Sequence, residues 1–375
     1  MGGIGFFVAS TGQNVGKTTT SLGLVAGLLK RKIQTGFMKP VGQEHVKLSS
    51  GEFVDKDVIL FKEHFHLKDS YEHMSPVLIP SGFTKDFLDQ KIHTQDLKNK
   101  IEESYIKLCK KNEFMVVEGT GHVGVGSIIQ LNNAQVAQVL NLPVILIASG
   151  GLGSSFDELT LNKTLCDHYR IKVMGVILNR VKEEKREMIT HYMGKALKKW
   201  NVPLLGCIPY DAFLSNPTMQ DLEILFETSL ITAEQHRLRH FETIRLVATS
   251  VDVFREMILP HQIIITPANR EDIILATLTK QWEIKQNNPN DDLGAGLVLT
   301  GEYPPRHFII EQIKKAQIPM LYTGVHSHVA AQRLANFTAK IRLEDREKIN
   351  EAIDIVQSHI DFDTLLRLTE THSSE

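Results

Sequence analysis

The 375-residue chain predicts an α/β fold: a mostly parallel sheet covered by helices, followed by a smaller α/β domain. Three observations carry that expectation. Short, nearly all-apolar segments recur, each separated from the next by a helix-length stretch, which is the pattern of strands buried on both faces. A glycine-rich loop stands between the first such strand and the first helix. Candidate ligand groups then sit just past strand ends, where open α/β sheets bind ligands. The length exceeds one cooperative core, so two domains are expected.

Residues 3–9, GIGFFVA, read as a short buried strand, and residues 18–31 have the length and apolar spacing of a helix. Further strands are expected at 35–38, 114–118, 143–148 and 172–178, with helices at 97–110, 133–140 and 155–169. A last short strand at 204–208 runs into Pro209-Tyr210-Asp211, and a helix follows at 217–227. Residues 232–257 read as helical and amphipathic. A second series then has strands at 262–266, 296–300 and 320–322 and helices at 271–279, 305–316 and 329–338. The polar interval WEIKQNNPNDDLGAG reads as an exposed loop, and EKINEAIDIVQSHI as a terminal helix before a polar tail. The expected division is a nucleotide-binding domain at 1–230, a helical linker at 231–257, and a second domain with the terminal helix and tail at 258–375.

Composition narrows the function classes. Forty-two Lys plus Arg against forty-four Asp plus Glu give a formal net charge of −2. No basic stripe is available for a nucleic-acid backbone, so nucleic acid is not an expected partner. No stretch reaches the roughly 20 apolar residues that cross a bilayer, and no membrane partner is expected. No basic segment precedes the apolar start, which argues against a secretory leader, and the early strand argues against acylation at Gly2. Cys109, Cys166 and Cys207 are far apart and lack metal-ligand spacing, which suits a cytoplasmic location.

The segment STGQNVGKTTT, residues 10–20, carries the chemistry. Small residues let successive backbone N–H groups face an anion, and the following helix N-terminus adds partial positive charge. Gly12 and Gly16 permit that backbone, with Gln13, Asn14 and Val15 between them. Lys17 reaches the β- and γ-phosphates, Thr18 ligates magnesium, and Thr19 completes the nucleotide contacts. The commonest pattern has glycine six residues before the lysine, where this chain has Thr11. Other candidates follow strands. Lys39 ends a strand with Pro40-Val41-Gly42 behind it, and Glu118 closes an apolar strand with a carboxylate suited to magnesium or its waters. Asp57 and Asp55 both precede the apolar run VILF, and their register stays open. Asn179 follows the strand VMGVIL with a paired donor and acceptor.

STGQNVGKTTTSLGL resembles the phosphate loop of the dethiobiotin-synthetase family, in which the first glycine is typically replaced. Lys39 in FMKPVG, Glu118 in VEGTG and Asn179 in GVILNR continue the likeness in order. The resemblance is still closer to the dethiobiotin-synthetase-like front region of long phosphotransacetylases. It extends into a DRTGG-type domain, where residues 263–274 and 297–301 match its two blocks, although Gly301-Glu302 stands where the name records two glycines. The chain ends after that unit, so the phosphotransacetylase catalytic domain, and acetyl transfer with it, is not implied.

The resemblance implies a P-loop NTPase-type domain with Lys17 and Lys39 stabilising transferred phosphoryl charge, and with Thr18, Asp57 and Glu118 serving magnesium. It implies Asn179 at the purine edge with Pro209 near the base, and a homo-oligomer paired across the nucleotide site. No Asp follows Asn179 to complete a guanine-reading motif, so ATP is favoured over GTP. The expected function is ATP binding of a regulatory or assembly kind with slow hydrolysis. The alternative is a ligase that phosphorylates a carboxylate or carbamate of a small-molecule acceptor. The residues that would hold a diamino acid depart from the synthetase pattern at residues 120–127. There His122 reads as a ligand contact or a loop-shaping residue, and Ser127 as a helix cap.

Overall fold

The computed structural model describes residues 4–374, and side chains to residue 372. The acylation expectation at Gly2 lies outside them. The chain forms two compact units, one made of residues 1–211 and 341–375 and the other of residues 212–340. Among the described residues no helix is long and apolar enough to cross a membrane.

The first unit begins with β1 (Ile4–Ser10), α1 (Lys17–Lys30) and β2 (Thr35–Met38). A compact excursion follows: β3 (Val41–Gly42), β4 (His45–Lys47), β5 (Phe53–Asp55), α2 (Lys56–His64), α3 (Tyr71–Met74), β6 (Val77–Leu78) and α4 (Phe83–Leu88). The chain returns through α5 (Thr94–Cys109) and β7 (Phe114–His122), then α6 (Asn133–Leu140), β8 (Val144–Ser149), α7 (Gly153–His168), β9 (Val173–Val181), α8 (Arg186–Leu197) and β10 (Leu204–Pro209). Six strands form one sheet in the order β10-β9-β8-β1-β7-β2, and every pairing in it is parallel. The chain moves from β1 out to β2, back to β7, and across to β8. Strand order therefore reverses around β1, the position at which parallel sheets open a crevice at their carboxyl ends. Apolar runs such as Phe6-Phe7-Val8 and Val144 to Ala148 are buried, as strands covered on both faces require.

The second unit contains α9 (Ala212–Ser215), α10 (Met219–Phe226), β11 (Thr243–Leu246), α11 (Val251–Arg255), β12 (Gln262–Pro267), α12 (Glu271–Asn287), β13 (Gly296–Thr300), α13 (His307–Ala316), β14 (Met320–Thr323) and α14 (Ser327–Ala335). Its sheet runs β11-β12-β13-β14, all parallel. Alternation divides the core: Ile264, Leu297 and Leu299 pack with Ile273, Leu278, Ile309 and Ile313 on one face. Ile263, Ile265, Val298 and Leu321 pack with Met219, Leu222, Ala330 and Leu334 on the other.

Three expectations are corrected. Residues 231–257 are not a helical linker: Thr232 bridges Met320 at one edge of this sheet, and β11 pairs with β12 at the other. The β-branched Thr243 and Ile244 suit that pairing, in which β11 supplies hydrogen-bond partners to the open edge of β12. The polar interval after Trp282 is helical as far as Asn287 before it becomes a loop.

The third correction concerns the C-terminal segment, which belongs to the first unit. Its helices are α15 (Arg346–Gln357) and α16 (Phe362–Ser374), so the expected polar tail is itself helical. Ile349, Ala352 and Val356 make a buried stripe along α15. A side-chain carbon added at Gly23 would collide with Val356, and one at Gly27 with Phe362, so glycine permits these close approaches to α1. Arg31 stacks its guanidinium 4.2 Å from the Phe362 ring centroid. The Asp361 N–H donates to Leu205 O at 2.8 Å.

Gly23→Leu is therefore expected to force α1 and α15 apart, at a cost of about 1–3 kcal/mol. Urea unfolding checks this, and an unchanged midpoint would show that the contact does not constrain the fold.

Candidate functional site

Strand β1 ends at Ser10, and residues 11–16 wrap back before α1 begins at Lys17. Asn14 has φ 56° and Gly16 φ 97°, so left-handed residues alternate along the loop and turn backbone N–H groups inward. At Gly16 a side-chain carbon would strike the Asn179 amide. Thr11, in the position usually held by glycine, donates its hydroxyl to Glu158 Oε2 of α7 at 2.9 Å. The substitution thus exchanges backbone freedom for a side-chain tether.

Lys17 lies over the loop, donating to Ser10 Oγ and Gly121 O, each at 2.8 Å. Burial pulls its ammonium down to about 8, against the favourable field of Glu118. Lys39, just past β2, is 7 % exposed. Its Nζ donates to Asp57, and to Glu118 Oε1 at 3.2 Å, with Asp55 Oδ1 at 3.8 Å. Burial alone would lower Lys39, but Asp57, Glu118 and Asp55 outweigh it and hold the ammonium well above the ordinary lysine range. Thr18 Oγ1 donates to Glu118 Oε1 at 3.3 Å, which links the first turn of α1 to the same carboxylate.

Both aspartates reach this cluster, by different routes. Asp55 is the N-cap of α2 and accepts from the Asp57 N–H at 3.0 Å. Asp57, in the first turn, is the more exposed of the two and pairs directly with Lys39. Burial pushes the Asp55 carboxyl up to about 6, although Lys39 works against the shift. Burial likewise raises Glu118, which is fully buried.

Among the described residues no group of three or more His, Cys, Asp or Glu is arranged to hold a metal by itself. Magnesium does not require one, because it keeps several waters and takes one or two carboxylates together with phosphate oxygens. Thr18, Asp57 and Glu118 offer such hard oxygen donors. Asp55 Oδ2 is buried without a hydrogen bond, which leaves an anionic oxygen for a water or cation. The residues fit the ion.

Asn179 is buried, and its Nδ2 donates to Val15 O at 2.8 Å, so in this structure its amide braces the phosphate loop. Pro209 ends β10 beside Val181, two residues past Asn179 on the neighbouring strand. Gln13 and Asn14 are exposed at the loop tip, Gly12 is half-buried along the loop, and Thr19 is half-buried in the first turn of α1. His122 Nδ1 accepts from the Gly124 N–H at 3.1 Å and so shapes its loop. Ser127 does not cap α6: Asn132 does, in a capping box with Gln135.

Two residues passed over in the sequence organise these loops. Asn162 of α7 donates to Thr11 O at 3.2 Å and accepts from the Val123 N–H at 3.0 Å. Asn133 accepts from Thr120 N–H at 3.1 Å and donates to the carbonyls of Thr120 and His122 at 2.9 and 2.8 Å. The signal was present: Asn162 interrupts the buried stripe of Leu159 and Cys166, where a polar side chain needs partners.

Comparison with known proteins agrees with the two units. The AAA domain family matches residues 5–218 and the DRTGG domain residues 224–337. A phosphate acetyltransferase of Nitrosomonas europaea is 26% identical over 96% of this chain and 51% of its own length. One of Pseudomonas putida is 28% identical over 95% of this chain and 50% of its own length. The chain thus spans about half the length of the curated relatives it matches. Among solved structures, the MinD cell division protein of Aquifex aeolicus aligns over 55% of this chain and 82% of its own, at 15% identity and a TM-score of 0.34.

Asp55→Asn keeps the α2 cap and removes a buried charge. The folded-state pKa lies above the unfolded value, so folded Asp55 holds its proton longer, and the wild type loses stability as pH rises from about 4 to about 6. The variant is expected to flatten that decline and to be more stable than wild type at pH 7. Denaturant midpoints between pH 4 and pH 7 check this, and parallel curves for the two proteins would contradict it.

Proposed function

The chain belongs to the AAA domain family through residues 5–218, and from that premise we propose a magnesium-dependent ATP-binding protein of regulatory or assembly function, with slow hydrolysis. One observation carries the proposal: the left-handed loop at Asn14 and Gly16 brings Lys17 and Thr18 to the same buried carboxylate, Glu118, that Lys39 reaches from β2. Two lysines, a hydroxyl and acidic groups then surround the place where a triphosphate's outer phosphates would lie. Bound magnesium would neutralise phosphate charge, with Thr18, Asp57 and Glu118 as its protein oxygens and waters between.

The loop N–H groups and the α1 N-terminus would cradle the phosphates while Lys17 exchanges Ser10 and Gly121 for phosphate oxygens. Lys39 sits among carboxylates that already neutralise it, which favours holding charge over releasing it. Asn179 and Pro209 would border the base, and ATP is favoured over GTP. The protein so proposed works in the cytoplasm as a homo-oligomer.

A second reading is favoured by one further feature. A cavity of about 580 Å³ lies beside the cluster, lined by Val54 and Ser75 among others. Val54 precedes Asp55, and Ser75 Oγ accepts from the Asp55 N–H at 3.3 Å. A small-molecule acceptor there would suit a ligase in which a carboxylate or carbamate oxygen takes the γ-phosphoryl group, ADP leaves, and an amine then displaces phosphate.

Equilibrium binding of ATP and GTP with magnesium, for wild type and Lys17→Ala, tests the first reading. Loss of one charge-assisted contact of roughly 1.5–3 kcal/mol predicts a decrease of about 10- to 150-fold in ATP affinity. Wild type that binds neither nucleotide would remove both readings. Phosphate release that rises only with one component of a small-molecule extract would favour the ligase.

Binding also has a pH signature. Above about 8 free Lys17 is increasingly neutral, so uptake of the anionic phosphates must recruit a proton. ATP affinity should fall by up to about tenfold per pH unit above that point, and Lys17→Ala should lose the dependence. Titration calorimetry between pH 7 and pH 10 distinguishes the two, and equal slopes would remove Lys17 from the phosphate contact.

A further inference from the structure

The excursion between β2 and β7 lines the cavity of about 580 Å³ with a chemistry that the acceptor reading leaves unused. Part of its wall is fixed before any ligand arrives. The segment that ends α3 and runs through β6 is tied to the chain just past β2. Lys39 N–H donates to Met74 O at 2.8 Å, Val77 N–H to Pro40 O at 3.2 Å, and Ile79 N–H to Gly42 O at 2.9 Å. Ser75, in the same segment, holds the Asp55 N–H. A largely preformed pocket of this size has little ordering left to do when a small molecule enters.

Three aromatic rings line this space: Phe53 of β5, Tyr71 of α3 and Phe83 of α4. Phe53 is 53% exposed, and Tyr71 and Phe83 are half-buried, so part of each ring is still uncovered. The face of an aromatic ring carries partial negative charge and attracts cations. Two of these rings already do so: Lys47 Nζ lies 5.9 Å from the Phe53 centroid and Lys62 Nζ 5.2 Å from that of Tyr71. Each lysine covers one face of a ring that has two. The charges in the lining have the same preference. Glu52 and Glu72 contribute two carboxylates against one ammonium, that of Lys100. All three are exposed, and among the described residues none of them is in an ion pair. Glu52 accepts from Ser50 Oγ at 3.2 Å, which leaves its charge unneutralised.

We propose that this cavity binds an organic cation, an ammonium carried on an apolar body of ring size. The aromatic faces and the two carboxylates attract the charge, while Val54 and Leu78 cover the apolar body. A fully buried ammonium would lose its hydration, so the charge lies toward the rim, where the carboxylates and water remain. An anion of the same shape meets two like charges and no compensating donor beyond Lys100. Recognition by charge goes beyond the ligase reading, because it holds whether or not the occupant accepts a phosphoryl group.

Tryptamine and indole-3-propionate share one apolar body and differ in charge, and each is titrated into the full-length chain by calorimetry without nucleotide. The absence of nucleotide keeps the result separate from the ATP reading. Tryptamine is expected to bind saturably, and about tenfold or more tightly than indole-3-propionate. Leu78→Trp, which fills the space, should weaken tryptamine by about tenfold or more. Replacing both exposed carboxylates, Glu52→Gln with Glu72→Gln, should weaken it by about fivefold or more. If Leu78→Trp does not fold, the double surface variant decides. No saturable binding of tryptamine, equal affinity for the cation and the anion, or an affinity indifferent to either the filled cavity or the lost carboxylates overturns the proposal.

Discussion

One buried ammonium organises the first unit. Lys39 ends β2, and its charge lies among Asp55 at the start of α2, Asp57 in that helix's first turn, and Glu118 in β7. Three segments far apart in sequence are fixed to one point. Neither sign is tolerable there alone, because an unpaired buried charge costs more than its pair contributes. The arrangement specifies geometry more than it adds stability. It holds β2, β7 and the start of α2 in the positions from which a phosphate-bearing ligand would be met.

The phosphate loop is held by two carboxamides and one carboxylate instead. Asn179 fixes Val15, Asn162 ties Thr11 to the segment after β7, and Thr11 is anchored to α7 through Glu158. Carboxamides suit this role because each presents a donor and an acceptor without adding charge beside Lys17. The helix that follows the loop is restrained as well, since Gly23 and Gly27 admit Val356 and Phe362 against α1. A site whose backbone is fixed before ligand arrives has less ordering left to do on binding.

The legible part of the fold was the part governed by local pattern. Buried strands such as Val144–Ser149 are continuous apolar runs, and their alternation with helices requires a parallel sheet. Lys17, Thr18, Lys39 and Glu118 were readable because each follows or closes such a strand. Residues 231–257 were misread because amphipathic spacing was weighed without knowing that two open sheet edges needed partners. The destination of 341–375 was equally hidden. A buried stripe on α15 announces that it needs a surface, but not that the surface is α1, more than 300 residues earlier.

By itself the sequence determined the α/β class, the phosphate loop and the residue types gathered at strand ends, because hydrophobic period, glycine placement and strand-to-helix order are local properties of a chain. Only the tertiary structure decided how those residues meet. It showed both Asp55 and Asp57 reaching Lys39, turned Asn179 onto the loop backbone, converted Thr11 from a missing glycine into a tether, and enlisted Asn133 and Asn162. The physical reason is common to all of these. Burial obliges every polar group to find a partner, and the partners available are fixed by which strands lie side by side, which no single segment records.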